Sequence, residues 1–181
     1  NTIKMKKLIF LIFAIVCLMY CKNRDQDFNT LPDVTDWGAN TAGALVDGKV
    51  WVATTDRLNT ANGSGTYCEK FNNNYTIKLD LRQEKNTYNN AILIKVLIID
   101  LELNKKYDVI KETPDSDYSF AIFRDNASKS FSTNPDHVGS ITISKIDIKN
   151  QIVSGTFNFN AVDKQGNSVK ITDGRFDKRF D

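Results

Sequence analysis

The chain has 181 residues, 41% of them hydrophobic, with 24 Lys and Arg against 22 Asp and Glu, one His and three Cys. That length suits one domain. Without Lys4, Lys6 and Lys7 of the N-terminal segment, 21 basic side chains face 22 acidic ones, a balance that excludes the basic stripe by which nucleic-acid binders hold phosphates; the lone His137 excludes any site needing two imidazoles.

The chain opens with Met5-Lys6-Lys7 and then an apolar run, Leu8 to Tyr20. The run is shorter than the roughly 20 residues a spanning helix needs, so residues 1–20 read as a signal peptide. It stops at Cys21, and the polar stretch Lys22-Asn23-Arg24-Asp25-Gln26-Asp27 follows at once. This resembles a bacterial lipoprotein signal, in which Cys21 is lipidated and becomes the first mature residue; Leu18 fits the pattern, while Tyr20 departs from its usual small residue. Two acyl chains suffice for stable anchoring. Residues 21–30 then form a flexible tether and 31–181 a single β-rich domain. With Cys17 lost and Cys21 acylated, Cys68 has no disulfide partner. It reads as a small buried hydrophobe, because a nucleophile needs a nearby base.

The domain reads as all-β. Val46-Asp47-Gly48-Lys49 places an Asp-Gly pair between Ala44-Leu45 and Val50-Trp51-Val52, a hairpin signal because a type I′ turn requires positive φ at both central residues. Ile77, Leu79 and Leu81 alternate with Lys78, Asp80 and Arg82, the period of a half-buried strand. The run from Ala91 to Ile99 is apolar on both faces and rich in β-branched residues, as in a central strand. Leu101 to Lys111 is the only stretch with room for a helical turn, and Tyr118 to Phe123 resumes the alternation. The turns Lys149-Asn150 and Gln165-Gly166-Asn167 divide a meander of strands at approximately 139–148, 151–162 and 168–180, with Asp173-Gly174-Arg175 interrupting the last as a bulge. About nine short strands predict an antiparallel β-sandwich, with a small closed β-barrel as the alternative.

The stretch from Leu31 to Trp51, with Asp36-Trp37-Gly38-Ala39-Asn40-Thr41 and Leu45-Val46-Asp47-Gly48-Lys49-Val50-Trp51, resembles the opening of a Bacteroidetes lipoprotein family of unknown function, LPPATQTGxNTFGCLVNGKVW. The ending, Ser154-Gly155-Thr156-Phe157-Asn158-Phe159 and then Ile171-Thr172-Asp173-Gly174-Arg175-Phe176-Asp177, is similar to the same family. The resemblance brackets residues 31–177 and implies an outer-membrane lipoprotein, periplasmic or at the cell surface, with no activity to carry over. Asp33, Ala42 and Ala44 depart from the motif; Ala44 stands where many members carry Cys, and a partner lost there would leave Cys68 alone.

Read without the family, Gly38, Gly43 and Gly48 let the linker turn onto the sheet, and Trp51 points into or caps the core. Trp37 and Trp51 as a ligand platform is the less economical reading. Asp115 and Asp117 could share a calcium ion with backbone carbonyls, but the full calcium loop is absent and the segment reads as a solvated turn. Asp136 and His137 could form an acid–base pair, though no nucleophile elbow accompanies them. Asn72-Asn73-Asn74 and Asn89-Asn90 could bind sugar hydroxyls but read first as turns. No cofactor motif occurs, and no metal, nucleotide or nucleic-acid partner is expected. The expected function is a non-enzymatic cell-envelope lipoprotein, held to the membrane by its lipid and serving as a binding or structural module whose partner, a protein or a glycan, the sequence does not identify. A small barrel carrying an apolar ligand is the alternative, and a hydrolase around Asp136 and His137 is weaker still.

Overall fold

The computed structural model describes residues 29–54, 65–85, 88–110, 119–125 and 129–180. The signal peptide, Cys21 and the pair Asp115 and Asp117 lie outside them. The described residues form eleven strands: β1 (Thr41–Val46), β2 (Lys49–Val52), β3 (Thr66–Phe71), β4 (Asn74–Lys85), β5 (Tyr88–Ile98), β6 (Lys106–Val109), β7 (Phe120–Asp125), β8 (Lys129–Ser132), β9 (Gly139–Asp147), β10 (Ile152–Val162) and β11 (Ser168–Arg179).

Local chemistry sets several of these boundaries. Val46 pairs with Lys49 across the first turn, where Asp47 has φ 48° and Gly48 φ 75°, the left-handed pair a two-residue hairpin demands. A two-residue turn also joins Phe71 to Asn74, with Asn72 alone at positive φ, 56°; Asn tolerates this region because its short amide bonds locally. The expected C-terminal meander is present as β9, β10 and β11. Asp173, at φ 52°, marks the expected bulge, and the register of β11 slips against both β1 and β10 at this point.

Leu101 to Lys111, the stretch with room for a helical turn, instead holds a strand in its described part. A turn at Leu103-Asn104 leads into β6, which pairs antiparallel with β9 from Lys106 opposite Thr142 to Val109 opposite Gly139. Asn104, at φ 64°, also donates its amide to Ile143 O at 2.7 Å. The free edge of β9 thus supplies the hydrogen bonds that a short helix would have had to make alone.

The strands form one antiparallel sheet in the order β2-β1-β11-β10-β8-β7-β5-β4-β3. Its corner is β10, which pairs with β9 from Ile152 to Phe159 and with β8 only at Val162; β6 lies beyond β9. The far ends of the path approach each other. Thr54, just past β2, donates its amide to Arg82 O of β4 at 2.9 Å, and Gln83 Nε2 reaches Val52 O at 3.1 Å. The sheet is therefore a curled half-barrel, between the sandwich and the closed barrel, and a single hydrophobic core inside it draws on every strand.

Residues ahead of β1 form a strap fastened to β11. Asp177 is 1% exposed, and its carboxylate accepts hydrogen bonds from Thr35 Oγ1 at 2.7 Å, Gly38 N at 2.9 Å, Ala39 N at 2.8 Å and Ser154 Oγ at 2.7 Å. Gly38 makes this possible: at φ 80° it turns two successive amides toward one acceptor, and a Cβ there would stand 3.0 Å from Ile152 Cγ1. Hydrogen bonds to a charged acceptor are roughly twice as strong as neutral ones, and here they replace the water the carboxylate has lost.

Burial alone would push the Asp177 carboxyl up, but the Ala39 amide, the Ser154 and Thr35 hydroxyls and the Gly38 amide together hold it below the usual Asp range. A group with a depressed folded-state pKa stabilises above its unfolded value, about 4 for Asp, and that stabilisation is lost as pH falls through the folded value. Asp177→Asn is expected to lower unfolding free energy at neutral pH by about 3 kcal/mol and to flatten the decline between neutral pH and about pH 3. Urea unfolding across that range checks this, and parallel acid limbs for the two proteins would contradict it.

Candidate functional site

The sequence-derived candidates separate in space and in chemistry. Asn134, Pro135, Asp136 and His137 form a tight turn closed by a bridge between Asn134 and His137. Asn134 Oδ1 accepts the amides of Asp136 at 3.0 Å and His137 at 2.7 Å, and lies 3.0 Å from His137 Nδ1. The imidazole is thus engaged by the turn-forming Asn and not by Asp136, so the acid–base geometry expected of a hydrolase is not assembled. Cys68 faces the core at 8% exposure, and burial pushes its thiol up to about 11. Among the described residues no group of three or more His, Cys, Asp or Glu could hold a metal. The two tryptophans occupy different settings: Trp37 is 50% exposed on the strap, whereas Trp51 is 3% exposed.

Trp51 leads to a concave feature that several elements build together. A cleft of about 410 Å³ opens at one end of the half-barrel. Its construction follows from the inward-facing rows of three strands, which change from apolar to polar as they reach this end. On β4 the row Ile77, Leu79, Leu81 ends in Gln83; on β5 the row Ile98, Val96, Ile94, Ile92 ends in Asn90; on β7 Ala121 and Phe123 are followed by Asp125. Gln83 and Asn90 stand opposite each other in the ladder. These three polar residues line the cleft, while Trp51, Phe123, Phe131 and Val169 supply its apolar floor. Phe123 and Phe131 are cross-strand partners with ring centroids 6.2 Å apart.

Two turns complete the rim. The β1–β2 turn contributes Asp47 and Lys49, and Ser168 enters from the start of β11. Asp47 is anchored, since its Oδ1 accepts the Lys170 amide at 2.8 Å. The loop before Ser168 is held by Asp163, whose carboxylate accepts the Gln165 and Asn167 amides and the Asn167 side chain at 2.8–2.9 Å. The Asn167 side-chain amide, aided by the backbone amides against the effect of burial, keeps the Asp163 carboxyl below the usual range. The rim is therefore set by backbone-anchored turns.

Hydrogen-bonding capacity is left over inside this frame. Trp51 Nε1 is buried without a hydrogen-bond partner, although an indole N–H is a donor only and leaving it unpaired costs about 1–3 kcal/mol. Gln83 gives its amide NH₂ to Val52 O, and the exposed Asp125 ends β7, paired through the ladder with Lys129. Of the earlier candidates, Asn90 and Trp51 line the cleft. Asn72 and Asn73 form the β3–β4 turn as expected, but Asn90 belongs to β5. The missed signal was the polar ending of the inward rows, at Gln83 and Asp125.

Comparison with known proteins gives one match. The family described as "Domain of unknown function (DUF6252)" covers residues 38–178, close to the span 31–177 bracketed by the motif resemblance. Neither a curated protein nor a solved structure matches the chain.

With its thiol pushed up to about 11, Cys68 is expected to resist maleimide in the native protein at neutral pH and to label within minutes in urea, because the thiolate is the reacting species. Mass spectrometry of the Cys68 peptide reads this directly, and native labelling at the rate of a free thiol would refute burial as the controlling factor.

Proposed function

Since the chain belongs to the DUF6252 family of unknown function, its activity has to be read from its own residues, and we propose that it is a non-enzymatic cell-envelope lipoprotein of a Bacteroidetes-type bacterium whose half-barrel binds a small ligand in the cleft at its open end. The observation that carries the binding reading is the cleft itself, where the inward rows of β4, β5 and β7 end in Gln83, Asn90 and Asp125 and meet Asp47, Lys49 and Ser168 around one opening; ligand sites are concave and pair an apolar lining with a few convergent polar groups. The polar rim favours an open binding site over the enclosed apolar cavity that a carrier of apolar cargo would need. The engagement of His137 by Asn134 supports the non-enzymatic reading.

The tether part of the proposal rests on the Lys6-Lys7 start, the apolar run and Cys21. Two acyl chains anchor stably, and a tethered binder works at a raised local concentration near the surface it serves.

Intact mass of membrane-extracted protein is expected to show loss of residues 1–20 and a gain of acyl chains, both abolished in Cys21→Ala. Protease shaving of whole cells then assigns the leaflet. An unmodified mass in the soluble fraction would remove the tether. For the cleft, native mass spectrometry of the envelope-purified protein is expected to show a non-covalent adduct that Asp125→Trp, which fills the mouth from an exposed position, prevents. An adduct retained by that variant would place binding elsewhere.

A further inference from the structure

We propose that the strap and the β1–β2 hairpin beside it form the face on which the domain rests against the lipid bilayer, an assignment that builds on the lipoprotein reading of Cys21. Chain length sets the constraint. Asn29, where the described chain begins, follows Cys21 by eight positions, and a chain spans at most about 3.3–3.6 Å per residue. The strap therefore starts within roughly 30 Å of the acylated residue. From there it is fixed to one wall. Pro32 packs on Gly43 of β1, where a Cβ would stand 2.8 Å from Pro32 Cδ, and Thr35, Gly38 and Ala39 bond to Asp177 of β11. The tether thus leads into this wall and no other.

The same wall carries exposed apolar groups. Thr35 turns inward to the Asp177 carboxylate, while Val34 and Trp37 to either side are 67% and 50% exposed. On the hairpin, Ala44 and Trp51 fill the core, so their neighbours Leu45 and Val50, which pair across the two strands, point to the outer face. Gly43, the next outward position on β1, is the one Pro32 covers, so strap and hairpin share a surface. A single exposed hydrophobe needs no explanation, but Val34, Trp37 and the exposed Val50 stand on the wall into which the lipidated segment runs. An indole suits this position, since its apolar body and its N–H together favour the boundary between acyl chains and headgroups.

Charge narrows the contact further. Asp33 and Asp36 are exposed on the strap, and the same wall holds Lys170 and Arg175 of β11. With both signs present, anionic headgroups gain no net attraction, and the contact rests on the apolar and aromatic groups whatever the lipid charge. Phe71, 74% exposed, lies elsewhere: it pairs with Asn74 at the start of β4, whereas Thr54 and Val52 meet β4 at Arg82 and Gln83, near its other end.

Full-length protein is purified from membranes, its acylation confirmed by intact mass, and reconstituted into phosphatidylcholine vesicles with or without lipid brominated high on its acyl chains, a quencher that acts only near contact. Trp51 is buried, so Trp37 carries the response. The expected result is loss of the Trp37 share of emission in brominated vesicles, no loss in Trp37→Phe, and the same loss when phosphatidylglycerol is added. Quenching only with phosphatidylglycerol would overturn the apolar basis of the contact. A Trp37→Phe chain that also carries Phe71→Trp is expected to stay unquenched, and quenching there in place of Trp37 would put the wrong wall on the bilayer. Trp37 untouched by brominated lipid overturns the inference in either of two forms: open to aqueous acrylamide, the strap lies in water; closed to it, a second copy or another protein covers the strap. In both the acylated mass keeps the lipoprotein reading, whereas an unmodified mass overturns the two together.

Discussion

A carboxylate with almost no exposure fastens the two ends of the described chain together. Asp177 lies on β11, and the groups that satisfy it come from the strap, 138 to 142 positions earlier, and from Ser154 on the neighbouring strand. β11 in turn is paired on both sides, by β1 and by β10, so the carboxylate sits where the first strand, the corner strand and the last strand converge. A charge in that position is tolerable only because every donor arrives together. The placement of β1, and with it the hairpin that forms one wall of the cleft, follows from that condition.

The cleft is a consequence of how the sheet curls. Gln83 and Asn90 stand opposite each other in the ladder, and Asp125 ends the adjacent β7 in the same register, so pairing alone sets these three side by side. Curling about β10 and approach of the β2 end to β4, through Thr54 and Gln83, bring the β1–β2 hairpin and the start of β11 to face them across one opening. The same closure buries Trp51, whose bulk fills the floor while its N–H is left without an acceptor. Packing thus claims the apolar body of this side chain and leaves its polar tip unpaired.

Much of this fold was legible in the sequence wherever a local rule fixes the geometry. Asp47-Gly48 gave the first turn, the polar–apolar alternation of Val153 to Ala161 the corner strand, and Asp173-Gly174 the bulge. What escaped was set by distant neighbours. The strand β6 exists because β9 offers an edge, a fact absent from Lys106-Tyr107-Asp108-Val109 itself, and the charged surroundings of β3 and β8 hid two further strands. Nothing around Asp177 announces that amides 138 and 139 positions away will reach it. In the cleft, the pair Asn89-Asn90 reads as a turn in the sequence, because a period-two pattern carries no mark for a polar residue that still faces inward at the strand's end. Register against Gln83 supplies that mark.

The strap has a mechanical meaning as well. Pro32 lies against Gly43 of β1, and Arg175 Nη1 contacts the Pro32 carbonyl at 3.4 Å, so the chain upstream of β1 is laid across β1 and β11 before it leaves the sheet. Any pull applied from the N-terminal side therefore meets the Pro32 contact and the Asp177 clamp before it reaches a single rung of the ladder between β1 and β11. The clamp thus stands in series with the incoming chain, ahead of the sheet's own hydrogen bonds, so the strap and the β1–β11 ladder are loaded one after the other.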